Sequence, residues 1–222
     1  MERPILFNRD MVRKILERIK KMTRRPIKIE FLPGYNPEWT GYKPVFEYGY
    51  FFLADSKGEP ATKKVKAPCQ VGDILWVQET WKIIQLLENM QMRFEYRADN
   101  VFSKAIDFAL DRFIKFKKFA DKNGWQSPYF MPREAARLFL KVTGMRVERL
   151  QDITIKDIKA EGTILTKLND EFDNEFSDET MYNMAFQTLW NSTIRKQGID
   201  RYGWNANPYI WIIEFEVTKN GR

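Results

Sequence analysis

A chain of 222 residues with 44% hydrophobic, 15% aromatic and 30% charged residues can bury enough apolar surface to offset its conformational entropy, which excludes intrinsic disorder. It contains no histidine and a single cysteine, Cys69, so a Ser-His-Asp or Cys-His catalytic group, a Cys/His zinc site and an internal disulfide are all excluded. The formal charge of +7 favours a polyanionic partner such as RNA or DNA.

Charges begin at Glu2 and Arg3, and no apolar run reaches membrane length, so the expectation is a cytoplasmic protein without a signal segment or membrane contact. Chemistry falls to Lys, Thr or Ser, Tyr, Asp or Glu and backbone groups, or to an oxygen-ligated metal. The spacing of Met11, Val12, Ile15, Leu16 and Ile19 predicts an amphipathic helix, capped by Asp10 and stopped by Pro26. Its last turn and exit loop would carry Lys20, Lys21, Thr23, Arg24 and Arg25, a dense basic group suited to an anionic ligand.

Lys28 to Lys66 reads as an insertion. Pro33, Gly34, Pro37, Gly41 and Pro44 punctuate a loop, Val45 to Leu53 is extended, and Asp55 to Gly58 makes a turn, so a β-hairpin is expected. Strict alternation would put Phe46, Tyr48, Tyr50 and Phe52 on one face, either packed on the core or offered to bases as a stacking platform. Ile74 to Glu79 follows a Gly-Asp turn and predicts a central strand that ends at a polar rim. There Glu79 and Trp81 are either a site carboxylate beside an aromatic wall or a salt bridge and core packing.

A helix is expected from about Val101, buried through Phe102, Ile106, Ala109, Leu110, Phe113 and Phe116, basic outside and stopped by Gly124. Leu138 to Val142 and Met145 to Glu148 predict a long strand with a bulge at Gly144. Thr154 and Asp157 stand in a capping-box relation ahead of a short helix closed by Gly162, which leaves Glu161 at the helix end. Leu165 to Asp178 is acidic and reads as a loop. Glu179 to Lys196 predicts a helix with a stripe of Met181, Met184, Ala185, Thr188, Leu189 and Trp190, and Tyr209 to Val217 alternates as a final strand. The order fits an α+β fold: a small, partly closed mixed β-barrel with flanking helices in a single domain over 1–222. Insertions fall at about 28–66, a hairpin, and 83–130, helical.

Four stretches resemble the ASCH domain family, most closely its larger bacteriophage and prophage members: Ile15 to Arg25, Gly72 to Trp81, Arg146 to Gly162 and Asn207 to Val217. They occur in the family's order and span nearly the whole chain outside the insertions. The resemblance implies a PUA-like barrel, a cleft that binds RNA or a modified nucleoside, and in some members hydrolysis without a cofactor or metal. Small ASCH proteins that remove the acetyl group from N4-acetylcytidine use a Lys, a Thr and a Glu, and these fall on Lys20, Thr23 and Glu161. Where the family commonly has Gly-Arg-Lys-Thr, this chain has Arg18, Ile19, Lys20 and Lys21, so either Lys20 or Lys21 is the active amine.

The chemistry of those residues is coherent. A lysine crowded by Arg18, Lys21, Arg24 and Arg25 gives up its proton more readily and can deprotonate Thr23. The Thr23 hydroxyl then attacks an amide carbonyl, Glu161 donates to the leaving amine, and Arg24, Arg25 or backbone N–H groups hold an oxyanion or phosphate. Lys21, Glu79 and Trp81 complete the expected ligand-binding set. The alternatives are an ASCH-type ribonuclease, which without histidine would need a metal or an unusual base, and a non-catalytic phage protein acting on a host nucleic acid or protein in the host cytoplasm. The sequence leaves the oligomeric state open.

Overall fold

The computed structural model describes residues 1–120, 124–165 and 177–218; the acidic stretch expected as a loop at 165–178 therefore lies almost wholly outside the described residues. In chain order the elements are β1 (Glu2–Leu6), α1 (Arg9–Leu16), β2 (Met22–Pro26), β3 (Lys43–Glu47), β4 (Tyr50–Ala54), β5 (Val65–Lys66) and β6 (Ile74–Gln78). There follow β7 (Trp81–Leu87), β8 (Gln91–Tyr96), β9 (Val101–Phe102), β10 (Ile106–Asp107), α2 (Leu110–Lys117) and β11 (Phe139–Arg149). The chain ends through α3 (Ile155–Ala160), α4 (Asp178–Thr193), α5 (Ile199–Tyr202) and β12 (Tyr209–Thr218). The fold is mixed α+β with its strands in several sheets, and no closed barrel forms among the described residues.

Contacts divide the chain into two compact units, one of residues 1–21, 72–142 and 215–222, the other of residues 22–71 and 143–214. In the first, β6 is a central strand, parallel to β1 from Glu2↔Ile74 to Leu6↔Gln78 and antiparallel to the start of β11 at Phe139↔Trp76. Its Leu75 and Val77 are buried, as alternation from Ile74 predicts. The β1 partner was not legible, because five residues that include a proline carry little periodicity.

The expected helix at the N-terminus is shorter than its apolar spacing suggests. Asn8, not Asp10, accepts from the Met11 N–H at 2.9 Å and caps α1, and the helix closes after Leu16 rather than at Pro26. Arg18 takes a left-handed φ of 60°, and the N–H groups of Arg18 and Ile19 return to the carbonyls of Ile15 and Lys14. That closure satisfies the last carbonyls and ejects Ile19 from the helical stripe.

The region expected to be helical from 83 to 130 carries more strand than helix. Strands β7 and β8 form a hairpin (Trp81↔Tyr96 to Leu87↔Gln91) through Asn89 and Met90, both at positive φ. Strands β9 and β10 pair with β8 where a helix was expected, and Phe102 is exposed, while among the described residues of that stretch only the eight of α2 are α-helical. Trp81, Met92, Phe94, Tyr96, Phe108, Phe116 and Met131 form one apolar cluster under this sheet. Each such side chain contributes about 1.5–3 kcal/mol when fully buried.

In the second unit, β12 and β2 pair antiparallel from Ile210↔Pro26 to Glu214↔Met22. Alternation splits their side chains between two cores. Met22, Ile210 and Ile212 pack with Leu150, Ile158, Phe186 and Trp190, whereas Ile27, Tyr209 and Trp211 pack with Phe51, Leu53 and Ala67. Burial on both faces explains why Tyr209 to Ile213 reads as an unbroken apolar run. The hairpin of the first insertion is present as β3 and β4, but it turns at Tyr48 and Gly49, both at positive φ, ahead of a second turn at Asp55 to Gly58. The turn breaks the expected aromatic face: Tyr48 is exposed, while Phe51 and Phe52 are both buried.

β11 runs continuously through Gly144, where a bulge is expected, and a Cβ there would lie 2.8 Å from the Glu214 carboxylate, so the glycine admits that side chain. In α4 the buried residues are Phe186 and Trp190, not Met184, which is half-exposed. The helix ends at Thr193, short of the expected Lys196. Among the described residues no helix is long and apolar enough to cross a membrane.

Candidate functional site

The helix after β11 forms where the sequence placed it. Thr154 occupies the N-cap and accepts from the Asp157 N–H at 3.2 Å, α3 runs Ile155–Ala160, and Glu161 is the C-cap residue ahead of Gly162 at φ 86°. The two acidic side chains of this helix, Asp157 and Glu161, are both buried. A buried carboxylate needs a cation or several donors to offset its lost hydration.

Arg24 of β2 answers both. Its Nη2 donates to Asp157 Oδ2 at 2.8 Å and its Nη1 to Glu161 Oε1 at 3.1 Å, and its side chain is only 1% exposed. The guanidinium also lies 5.9 Å from the Phe186 ring centroid. Arg146 of β11 donates to the same Asp157 oxygen at 2.9 Å and to Glu148 at 2.6 Å, and it also bonds Glu214. Those acidic partners outweigh the effect of its own burial and hold the Arg146 guanidinium above its ordinary value. The result is a network in which two arginines share Asp157, and it ties the middle of β2 to the end of α3. Arg24 Nε and Thr163 Oγ1 are buried beside these elements with no hydrogen-bond partner among the described residues.

Thr23 is 1% exposed and pairs across the ladder with Ile213. Alternation along β2 places Thr23 with Arg25 on one face, and Met22 with Arg24 on the other. Glu161 thus meets this strand through Arg24. Arg25 is half-buried; burial lowers its guanidinium below the ordinary value, against the opposing charge of Glu161.

The basic residues expected to act together are separated by burial. Lys20 is 2% exposed, with Nζ 5.9 Å from the Phe7 ring centroid and its N–H bonded to the Lys14 carbonyl. Lys21 is exposed, so Lys20 is the inward-facing amine of the pair. Arg24 was expected to hold a phosphate or an oxyanion; instead two internal carboxylates occupy its guanidinium.

Glu79 and Trp81, expected at a ligand-binding rim, are both buried in the first unit. Trp81 is fully buried against Phe94 and Phe119, and its indole N–H donates to the Ser127 carbonyl at 3.3 Å. Glu79 accepts a bidentate pair from Arg137 at 2.8 and 2.9 Å, and Arg137 also donates to Asp99 at 2.8 Å while lying over the Tyr96 ring. Burial pushes the Glu79 carboxyl up, with Arg137 opposing it.

The residues that sequence reasoning missed are Asp157 as an ion-pair partner and Arg146 as the second cation. The signal was the Arg-Val-Glu-Arg pattern, which in an extended strand puts Arg146 and Glu148 on one face. Among the described residues no cluster of three or more Asp, Glu or Cys side chains forms a metal cage. No protein-family model, no curated protein and no solved structure matches this chain.

Proposed function

We propose that this chain is a PUA-like, ASCH-type protein that binds RNA or a modified nucleoside and hydrolyses the amide of an N4-acylated cytidine with Lys20, Thr23 and Glu161. The observation that carries the reading is the buried contact from Arg24 to Glu161, which brings the end of α3 to the strand that bears Thr23, 138 residues away in sequence (161 − 23). Glu161 would otherwise be a buried acid at the carbonyl end of a short helix, where the helix dipole disfavours it. Arg24 offsets that cost from β2, the strand whose other face carries Thr23.

In this reading the Lys20 amine takes the Thr23 hydroxyl proton as the oxygen attacks the acyl carbon. The C–N bond breaks as that proton passes through Glu161 to the departing amino nitrogen, and cytidine leaves. Water then hydrolyses the threonyl ester and releases acetate. Arg24 positions Glu161 and does not touch the substrate.

The test is incubation with N4-acetylcytidine and chromatography of the products. Cytidine is expected from the wild-type protein and from Lys21→Ala, and at a rate lower by at least about a hundredfold from Lys20→Ala, because a general base contributes about 10²–10⁴-fold. Absence of cytidine, or equal turnover by Lys20→Ala, overturns the hydrolytic reading.

A further inference from the structure

The second unit contains a groove of about 490 Å³ that the hydrolytic reading does not use. Its walls come from β3 of the inserted hairpin (Pro44, Phe46), from Phe51 and Tyr209, and from the outer half of β11 (Met145 to Arg149), with Asp152 at one end. The volume falls within the range of about 300–1,000 Å³ usual for small-ligand sites.

Three features give the groove a chemical preference. First, its apolar walls are planar. The Phe51 and Tyr209 rings lie 5.1 Å apart, and Phe46, which touches Trp211 edge-on at 5.3 Å, is still 41% exposed. A large ring left that open on a short strand has a free face for stacking. Second, the Arg149 guanidinium lies 3.9 Å from the Tyr209 ring centroid and is fixed there by donation to the Asn207 carbonyl at 2.9 Å. Its plane is thus pre-set as a second stacking surface. Third, Asp152 is exposed and makes no hydrogen bond or ion pair among the described residues. A free carboxylate accepts hydrogen bonds and offers none, so it selects a ligand edge that donates.

A planar ring that donates from an exocyclic amino group satisfies all three. Arg149, exposed where it lines the groove, adds positive charge there, which suits a phosphodiester backbone attached to such a ring. We propose that this groove receives an unpaired amino-bearing base, cytosine or adenine, of a single-stranded nucleic acid. Asp152 accepts from the amino group, and Phe46 and Arg149 supply the stacking faces. Uracil presents a carbonyl at the corresponding position and would set two acceptors against each other.

The inference extends the nucleic-acid-binding part of the reading above and is independent of its hydrolytic part. Fluorescence anisotropy with labelled octamers of cytidine, adenosine and uridine tests it, because none of these strands carries an acyl group. The wild-type protein is expected to bind the cytidine and adenosine strands about tenfold more tightly than the uridine strand. Phe46→Ala should weaken the first two about tenfold. Asp152→Asn, a change at an exposed side chain, should bring the three strands to equal affinity, since an amide can donate as well as accept. Equal binding of the three strands by the wild type, no binding of any, or unchanged affinities in both variants would overturn the proposal. None of those results bears on whether cytidine is released from N4-acetylcytidine.

Discussion

Lys20 and Lys21 are adjacent and chemically identical, yet one is buried and the other solvated, and only the fold distinguishes them. The same holds for Arg24, whose charge advertises an anion site while its guanidinium is consumed by Asp157 and Glu161. A comparable arrangement surrounds Glu79, which is 1% exposed and held by Arg137. Because burial outweighs the arginine, the Glu79 carboxyl sits above its ordinary value in the folded chain. A carboxyl so raised binds its proton more tightly in the folded than in the unfolded state. The stability it lends is full below the unfolded value and is lost as pH rises through the raised one. Removing the partner deepens this effect. Arg137→Met should cost about 3–5 kcal/mol near neutral pH by stranding a buried charge. The difference from wild type should shrink when urea denaturation is repeated at a second, more acidic pH, because a raised carboxyl takes up its proton as pH falls. A cost that is the same at both pH values would show that Glu79 is not the group left uncompensated.

At the scale of elements, the sequence was most legible where a pattern had one physical interpretation. Alternation over Tyr209 to Val217 and over Ile74 to Gln78 gave strands at nearly their observed bounds, and the Thr154/Asp157 box with Gly162 gave α3. It was least legible where a turn lacks glycine. Arg18 and the Asn89/Met90 pair adopt left-handed backbone without it, so the end of α1 and the β7–β8 hairpin carried no punctuation. Helical spacing of apolar residues from Val101 misled for a related reason, because short strands and a short helix in succession can imitate one longer period. The cap of α3 gives the element-scale prediction. Thr154→Ala removes the acceptor for the Asp157 N–H and should destabilise the protein by about 1 kcal/mol, with Thr154→Ser close to wild type. Calorimetry checks this, and an unchanged melting temperature for the alanine variant would mean the cap is not needed to hold the acidic helix end.

For the whole molecule, composition stated the class of chemistry better than its location. Zero histidines removed imidazole chemistry and left amine, hydroxyl, carboxyl and backbone groups or an oxygen-ligated metal, and +7 net charge pointed to an anionic partner. What composition did not carry is the pairing of β2 with β12 and the internal ion pairs that join β2 to α3, both of which depend on contacts more than a hundred residues apart in sequence. The candidate site was accordingly legible as a set of residue types, with Glu79 and Trp81 among them because a polar residue at a strand end looks the same whether it faces solvent or an arginine. Among the proposed participants, Thr23 is the one on which the whole account turns, since it alone must form and break a bond to the substrate. The most direct measurement is the rate of cytidine release from N4-acetylcytidine by Thr23→Ser and Thr23→Ala beside the wild type. The account predicts measurable release by the serine variant, which keeps a hydroxyl, and none by the alanine variant; release by Thr23→Ala at the wild-type rate would contradict it.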